Sequence, residues 1–131
     1  MVLSTNDVLD RHLGCFAERD IEGVLADYSP DAVFFSPEGT LKGPDAMKPF
    51  FQNLFSEFAK PGSSFTMLHR HTYGDHGYIV WTAETADHSY EFATDTFFVQ
   101  NGKIVAQSFA AKTRPKISPL SASASYDGTR G

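Results

Sequence analysis

The stretch YEFATDTFFVQNGKIVAQSFAAK, Tyr90 to Lys112, decides the fold. Two runs with a period of two meet at Asn101-Gly102, the pair best suited to the two positive-φ positions of a tight hairpin turn. The runs therefore predict two long antiparallel strands, each with one face turned inward. The same period extends upstream through SFTMLHRHTY (Ser64–Tyr73) and GYIVWTAETAD (Gly77–Asp87). Gly74-Asp75-His76-Gly77 and Asp87-His88-Ser89 supply the connecting turns, so the region reads as a four-stranded meander.

Ahead of Ser64 the period is helical. Ser4, Thr5 and Asn6 offer N-caps to a helix carrying Val8, Leu9, His12, Leu13 and Phe16 on one face. Asp20 caps a second, short helix with Ile21, Val24, Leu25 and Tyr28 on one side. A short apolar strand, Ala32 to Phe35, stops at Ser36-Pro37, and Pro37-Glu38-Gly39 forms a tight connection. Gly43-Pro44-Asp45 opens a third helix whose apolar face includes Met47, Phe50, Phe51, Leu54, Phe55 and Phe58. Helices followed by a meander make an α+β domain, with three N-terminal helices packed on a strongly curved, mostly antiparallel sheet. Such a wrap leaves a cone-shaped space between the layers.

The 131 residues fit one domain, 41% hydrophobic and 21% charged. Twelve phenylalanines supply either a dense core or the walls of an apolar cavity. A net charge of −5 argues against nucleic acid or an anionic membrane as partner. Cys15 is the single cysteine, which excludes an internal disulfide and a cysteine-based zinc cluster. No basic, then apolar leader opens the chain and no run is long enough for a membrane helix, so the expected location is cytoplasmic. The domain is expected over residues 1–112, and the Ser-, Pro- and Gly-rich residues 113–131 read as a mobile tail.

The strings RDIEGVLADYSPDAVFFSPEGTLKGPDAMKPFF and ATDTFFVQNGKIVAQSF resemble the nuclear transport factor 2-like superfamily, in its SnoaL-like, ketosteroid isomerase-like branch. With the preceding helix the resemblance spans roughly residues 6 to 112. It implies a cystatin-like, cone-shaped α+β barrel with a deep pocket and a homodimer formed through the sheet. Ketosteroid isomerases use a carboxylate base together with a tyrosine and a protonated aspartate as oxyanion hole. The base position, in a D-P-x-G string, falls here on Ser36 of Ser36-Pro37-Glu38-Gly39. The oxyanion-hole aspartate falls on Asp95 and the tyrosine on His12. One of the three groups is retained, one is replaced by another titratable group, and the base is missing. Because a serine hydroxyl does not abstract a carbon-bound proton unaided, steroid isomerisation by the family route is not expected.

Asp95 lies among aromatic and β-branched residues, where burial would raise its pKa. Paired across the cavity, His12 and Asp95 would form an acid/base couple. Ser36, Phe16, Phe51, Phe55, His69, Trp81, Gln107 and Phe109 are the expected ligand-binding residues. His69 and His71 share a strand face at a spacing that metal sites also use, but one lining histidine is the reading preferred, with no metal and no cofactor. Strand parity stays open: pairing Asp87 with Tyr90 sets Thr82 across from Asp95, and a one-residue slip puts Trp81 on that face.

Two functions follow. One is acid/base chemistry of an isomerase, cyclase or dehydratase type on an apolar cyclic or carbonyl metabolite. The other is a non-catalytic module that binds a small hydrophobic molecule or dimerises through its sheet. A third possibility is a cavity filled by its own phenylalanines, which would leave a structural or partner-binding protein.

Overall fold

The structure is a computed structural model, and it describes residues 3–116. Three helices, α1 (Thr5–Ala17), α2 (Ile21–Ala26) and α3 (Pro44–Ala59), pack on one face of a six-stranded sheet. The strands are β1 (Tyr28–Ser36), β2 (Gly39–Lys42), β3 (Ser64–Tyr73), β4 (His76–Glu84), β5 (His88–Gln100) and β6 (Lys103–Pro115). Their order is β2-β1-β6-β5-β4-β3, and every neighbouring pair is antiparallel except β1 with β6. The sheet is curved but not closed, so the barrel of the sequence reading is an open cone with β2 and β3 at its edges.

Local chemistry sets the elements. Ser4 and Asp7 form a reciprocal capping box at the start of α1, with Ser4 Oγ accepting from the Asp7 amide at 3.0 Å. Asp20 caps α2 through the Gly23 amide at 3.0 Å. Gly43, at φ 85°, turns the chain into α3, and Pro44 stands at its first position. At the β5–β6 turn Asn101 and Gly102 both have positive φ, 53° and 76°, as the hairpin demands.

Two elements depart from the sequence reading. Strand β2 is only four residues long and begins at the last residue of the expected turn, in a stretch before Gly43 that the sequence reading assigns to no element. Tyr28, grouped with the apolar side of the second helix, instead opens β1, because α2 ends at its C-cap Asp27. The last strand also runs on to Pro115, past residue 112, and residues 117–131 of the expected tail lie outside the described residues.

The core is built where α1 and α3 meet the concave face. Val8, Leu9, Phe34, Met47, Phe51, Phe97 and Ile104 are all buried there. Fully burying one such side chain stabilises by ~1.5–3 kcal/mol. Gly77 permits the close approach of α1, since a Cβ there would lie 2.7 Å from Leu9 Cδ1. At the other end Glu57 of α3 accepts from Thr85 Oγ1 at 2.6 Å and Tyr90 OH at 3.1 Å, which pins the helix to the β4–β5 turn. Among the described residues no helix is long and apolar enough to cross a membrane.

Candidate functional site

Between the helices and the concave face lies a cavity of about 330 Å³. That volume is near the lower end of the ~300–1,000 Å³ usual for small-molecule sites. Phenylalanine side chains therefore line the space without filling it. Phe16, Phe51, Trp81 and Phe109 form much of its wall, and the buried polar groups His12, Asp95 and Gln107 form its floor. The exposed lining residues Arg19, Ser64 and Phe65 mark the mouth.

Sheet register builds the floor. Asp95 lies directly across from Ile79 on β4 and Phe109 on β6. Its two donors are the diagonal neighbours, one from each flanking strand, which is within reach for long side chains. Trp81 Nε1 donates to Asp95 Oδ2 at 2.8 Å, and Gln107 Nε2 donates to Oδ1 at 2.9 Å. Gln107 Oε1 in turn accepts from the Tyr28 hydroxyl at 2.5 Å. The Tyr28 oxygen lies 3.4 Å from His12 Nε2, and His12 Nδ1 lies 3.1 Å from Asp27 Oδ2. Arg11 Nε completes the chain on Asp27 Oδ1 at 2.5 Å.

Burial pushes the Asp95 carboxyl up, the bonds from Trp81 and Gln107 pull it back, and it settles at about 6. Burial also raises Tyr28 well above its ordinary value, helped by the charges of Asp95 and Asp27, so Tyr28 keeps its proton. At Asp27 burial acts upward, but hydrogen bonds and charge from His12 and Arg11 outweigh it and hold the carboxyl low. Asp27 is therefore an ionised acceptor, and the proton between it and His12 sits on Nδ1. Nε2 is left facing the Tyr28 hydroxyl, beneath the edges of Phe51 and Phe97. The floor thus offers a carboxylate poised near neutrality and an imidazole whose tautomer is fixed.

Seven of the expected residues line this cavity: His12, Phe16, Phe51, Trp81, Asp95, Gln107 and Phe109. Phe55 packs behind the wall, its ring 5.1 Å from Phe16 and 6.1 Å from Phe51. Ser36 does not reach the cavity. It ends β1 in the β1–β2 turn, where its Oγ bonds Glu38 Oε1 and the Gly39 carbonyl. His69 is also outside, exposed on the far face of the sheet. Met67 pairs with Trp81, but a bulge makes His69 pair with Val80 rather than Ile79 and flips its side chain. The direct His12–Asp95 couple is corrected too, because His12 takes its carboxylate from Asp27 and meets Asp95 only through Tyr28 and Gln107. Register resolves the parity question in favour of Trp81 on the cavity face, with Thr82 directed away.

Three groups escaped the sequence reading: Arg11, Asp27 and Tyr28. The signal available was Asp27 itself, an acid at a helix C-terminus, where its charge is locally unfavourable and calls for a partner elsewhere.

The family model for the SnoaL-like domain matches residues 9–107. No curated protein matches the sequence significantly. The fold is shared with a candidate ketosteroid isomerase from Kribbella flavida, at 13% identity over 97% of this chain and 90% of that one, with a TM-score of 0.68. It is shared with SalBIII, an epoxide hydrolase/cyclase-like enzyme with a role in pyran ring formation in salinomycin, at 13% identity, 82% and 90% coverage and a TM-score of 0.70. TerC, co-crystallised with polyporic acid, is similar at 20% identity, 82% and 91% coverage and a TM-score of 0.67.

Proposed function

The chain belongs to the SnoaL-like domain family, of the nuclear transport factor 2-like fold, and from that premise we propose that it moves protons on a small apolar molecule held in the cavity. The reading is an isomerase, cyclase or lyase type of reaction on a cyclic or carbonyl-bearing metabolite in the cytoplasm. One observation carries it: Asp95, buried at the floor of an apolar cavity, is brought to a pKa of about 6. Asp95 takes a proton from a carbon beside the carbonyl. His12, held in one tautomer by Asp27, exchanges a proton with the substrate oxygen, and Tyr28 steadies Nε2 when it is protonated. The apolar walls exclude water and strengthen each of these interactions. The chemistry proposed is that of the chain's own side chains.

The same fold supports a second reading, a binding module, favoured by one specific feature. Both Asp95 oxygens already have protein donors. In either case the proposed assembly is a homodimer through the outer sheet face. That face carries rows without lysine, arginine or carboxylate, for example Phe35, Ser108, Thr96, Tyr78 and His71 in register across five strands. Phe35 and Phe92 are half exposed on it.

Native mass spectrometry of the purified protein tests the proposal first, by identifying any small organic molecule that leaves on denaturation. Conversion of that compound by the protein, and loss of conversion in Asp95→Asn, supports catalysis. Tight binding with no conversion establishes the module instead.

A further inference from the structure

We infer that the cavity is built for an amphiphile: an apolar ring body at the floor and a carboxylate head held at the mouth by Arg19. The inference rests on the proposed cavity function and names its ligand class. Among the described residues the guanidinia of Arg11, Arg70 and Arg114 each meet a carboxylate, and Arg19 alone does not. Arg19 lines the mouth of the cavity and is exposed there, beside Ser64. Its neighbour Asp20 has its carboxylate committed to the Gly23 amide at the start of α2. Glu18, the other adjacent acid, is exposed and is not part of the lining.

The backbone at Arg19 adds a second observation. The Arg19 amide bonds the Phe16 carbonyl at 3.0 Å, and the Asp20 amide bonds the Cys15 carbonyl at 2.9 Å. These are the two bonds of a Schellman turn at the end of α1, with Arg19 in its left-handed position at φ 56°. Glycine is the residue that this position favours, so the chain carries a guanidinium where the local backbone argues against any side chain. The electrostatics orient the ligand. Asp95 at the floor repels an anion, whereas a planar guanidinium at the mouth matches a carboxylate with two parallel hydrogen bonds. On a chain of net charge −5 such a group offsets the repulsion that an approaching anion meets.

The test uses N-phenyl-1-naphthylamine as a neutral fluorescent occupant, with 1-naphthylacetate and its methyl ester as competitors of one ring body. Quenching of Trp81, the single tryptophan, confirms that the occupant sits in the cavity. The carboxylate is expected to displace it at about tenfold lower concentration than the ester, and added salt should shrink that ratio. Arg19→Gly and Arg19→Gln should bring the ratio to one with ester affinity unchanged, and Arg19→Lys should keep part of it. Arg19→Gly also relieves the strained turn, so loss of folding does not confound the result. Equal displacement by both competitors in the unmodified protein, or a ratio untouched by Arg19→Gln, overturns the inference and leaves the cavity standing. Failure of the naphthylamine and both competitors to bind overturns the cavity reading and this inference together.

Discussion

Asp95 and Gln107 meet across β5 and β6, Oδ1 accepting from Nε2 at 2.9 Å, and this contact sets the direction of every hydrogen bond from Asp95 back to His12. An ionised Asp95 only accepts, so the Gln107 amide points its nitrogen at Asp95 and its oxygen at Tyr28. Tyr28 then spends its one proton on Gln107 and leaves His12 Nε2 free to act. A neutral group at position 95 that donates toward Gln107 reverses the chain: the amide flips, and Tyr28 turns its proton to Nε2. The charge on Asp95 and the availability of His12 are linked through two side chains.

Asp95→Asn is expected to fold, because the new amide still accepts from Trp81 and donates to a flipped Gln107. Turnover should fall by at least ~100-fold, the usual contribution of a positioned acid or base. Stability should move the other way. With a pKa of about 6 against an ordinary 3.8, folded Asp95 keeps its proton between pH 4 and 6 while the unfolded chain has lost it. The contribution of Asp95 to stability is therefore full below about pH 4, falls as pH rises to about 6, and above that stays lower by about 3 kcal/mol. The variant lacks this cost. Its melting temperature should exceed that of the unmodified protein by about 10 °C at pH 7, and the two should come together near pH 4 as far as Asp95 is concerned.

Trp81 reports the same titration optically. Its indole N–H rests on the Asp95 carboxylate, and it is the one tryptophan in the chain. Its emission should shift with a midpoint near pH 6, and the shift should vanish in Asp95→Asn. Trp81→Phe removes a hydrogen bond that lowers the Asp95 pKa, so the rising limb of a pH–rate profile should move to higher pH.

In the proposed reaction Asp27 serves only through His12, whose tautomer it fixes. Asp27→Asn leaves both tautomers of His12 open and should lower kcat by about 10- to 100-fold with little change in KM. The lost bonds to Arg11 and His12 should cost about 2 kcal/mol at neutral pH. Because the Asp27 pKa is held low in the fold, that stability is present above its unfolded value and disappears as pH falls through its folded one. Urea unfolding at pH 7 and pH 3 checks the sign, and Arg11→Gln should show a weaker form of the same pattern.

Thr96 sits near the middle of the outer face, between Tyr78 and Ser108. In a two-fold dimer Thr96→Glu places a charge on each copy at once. Light scattering should then show a monomer in place of a dimer, with ligand binding in the cavity retained. A monomeric unmodified protein would contradict the proposed assembly.

The periodic elements were legible in the sequence because amphipathic spacing alone specifies them: the face of α1, the stripe of α3 and the β5–β6 hairpin with its Asn101-Gly102 turn. Asp95 was legible through the family resemblance, which puts the oxyanion-hole aspartate at that position, whereas strand parity alone left its face open. The misreadings arise where a local irregularity overrides period. A bulge after Met67 turned His69 outward, and the turn at Ser36 consumed its hydroxyl. Tyr28 follows Val24 at helical spacing, yet the chain becomes extended at that point. Asp27 and His12 are fifteen residues apart on different elements, and only the packing of α1 against the start of β1 brings them together.

The most direct test of the central claim, that Asp95 acts as a base in an apolar cavity, is the ring opening of 5-nitrobenzisoxazole. A base removes the C3 proton of its isoxazole ring, the N–O bond breaks, and a coloured nitrophenolate bearing a nitrile forms in a single step. The reaction needs only a desolvated carboxylate and a cavity that admits a small aromatic. A rate that rises through about pH 6 and disappears in Asp95→Asn is the predicted result. A rate that persists in that variant, or none above that of free acetate in the unmodified protein, would contradict the claim.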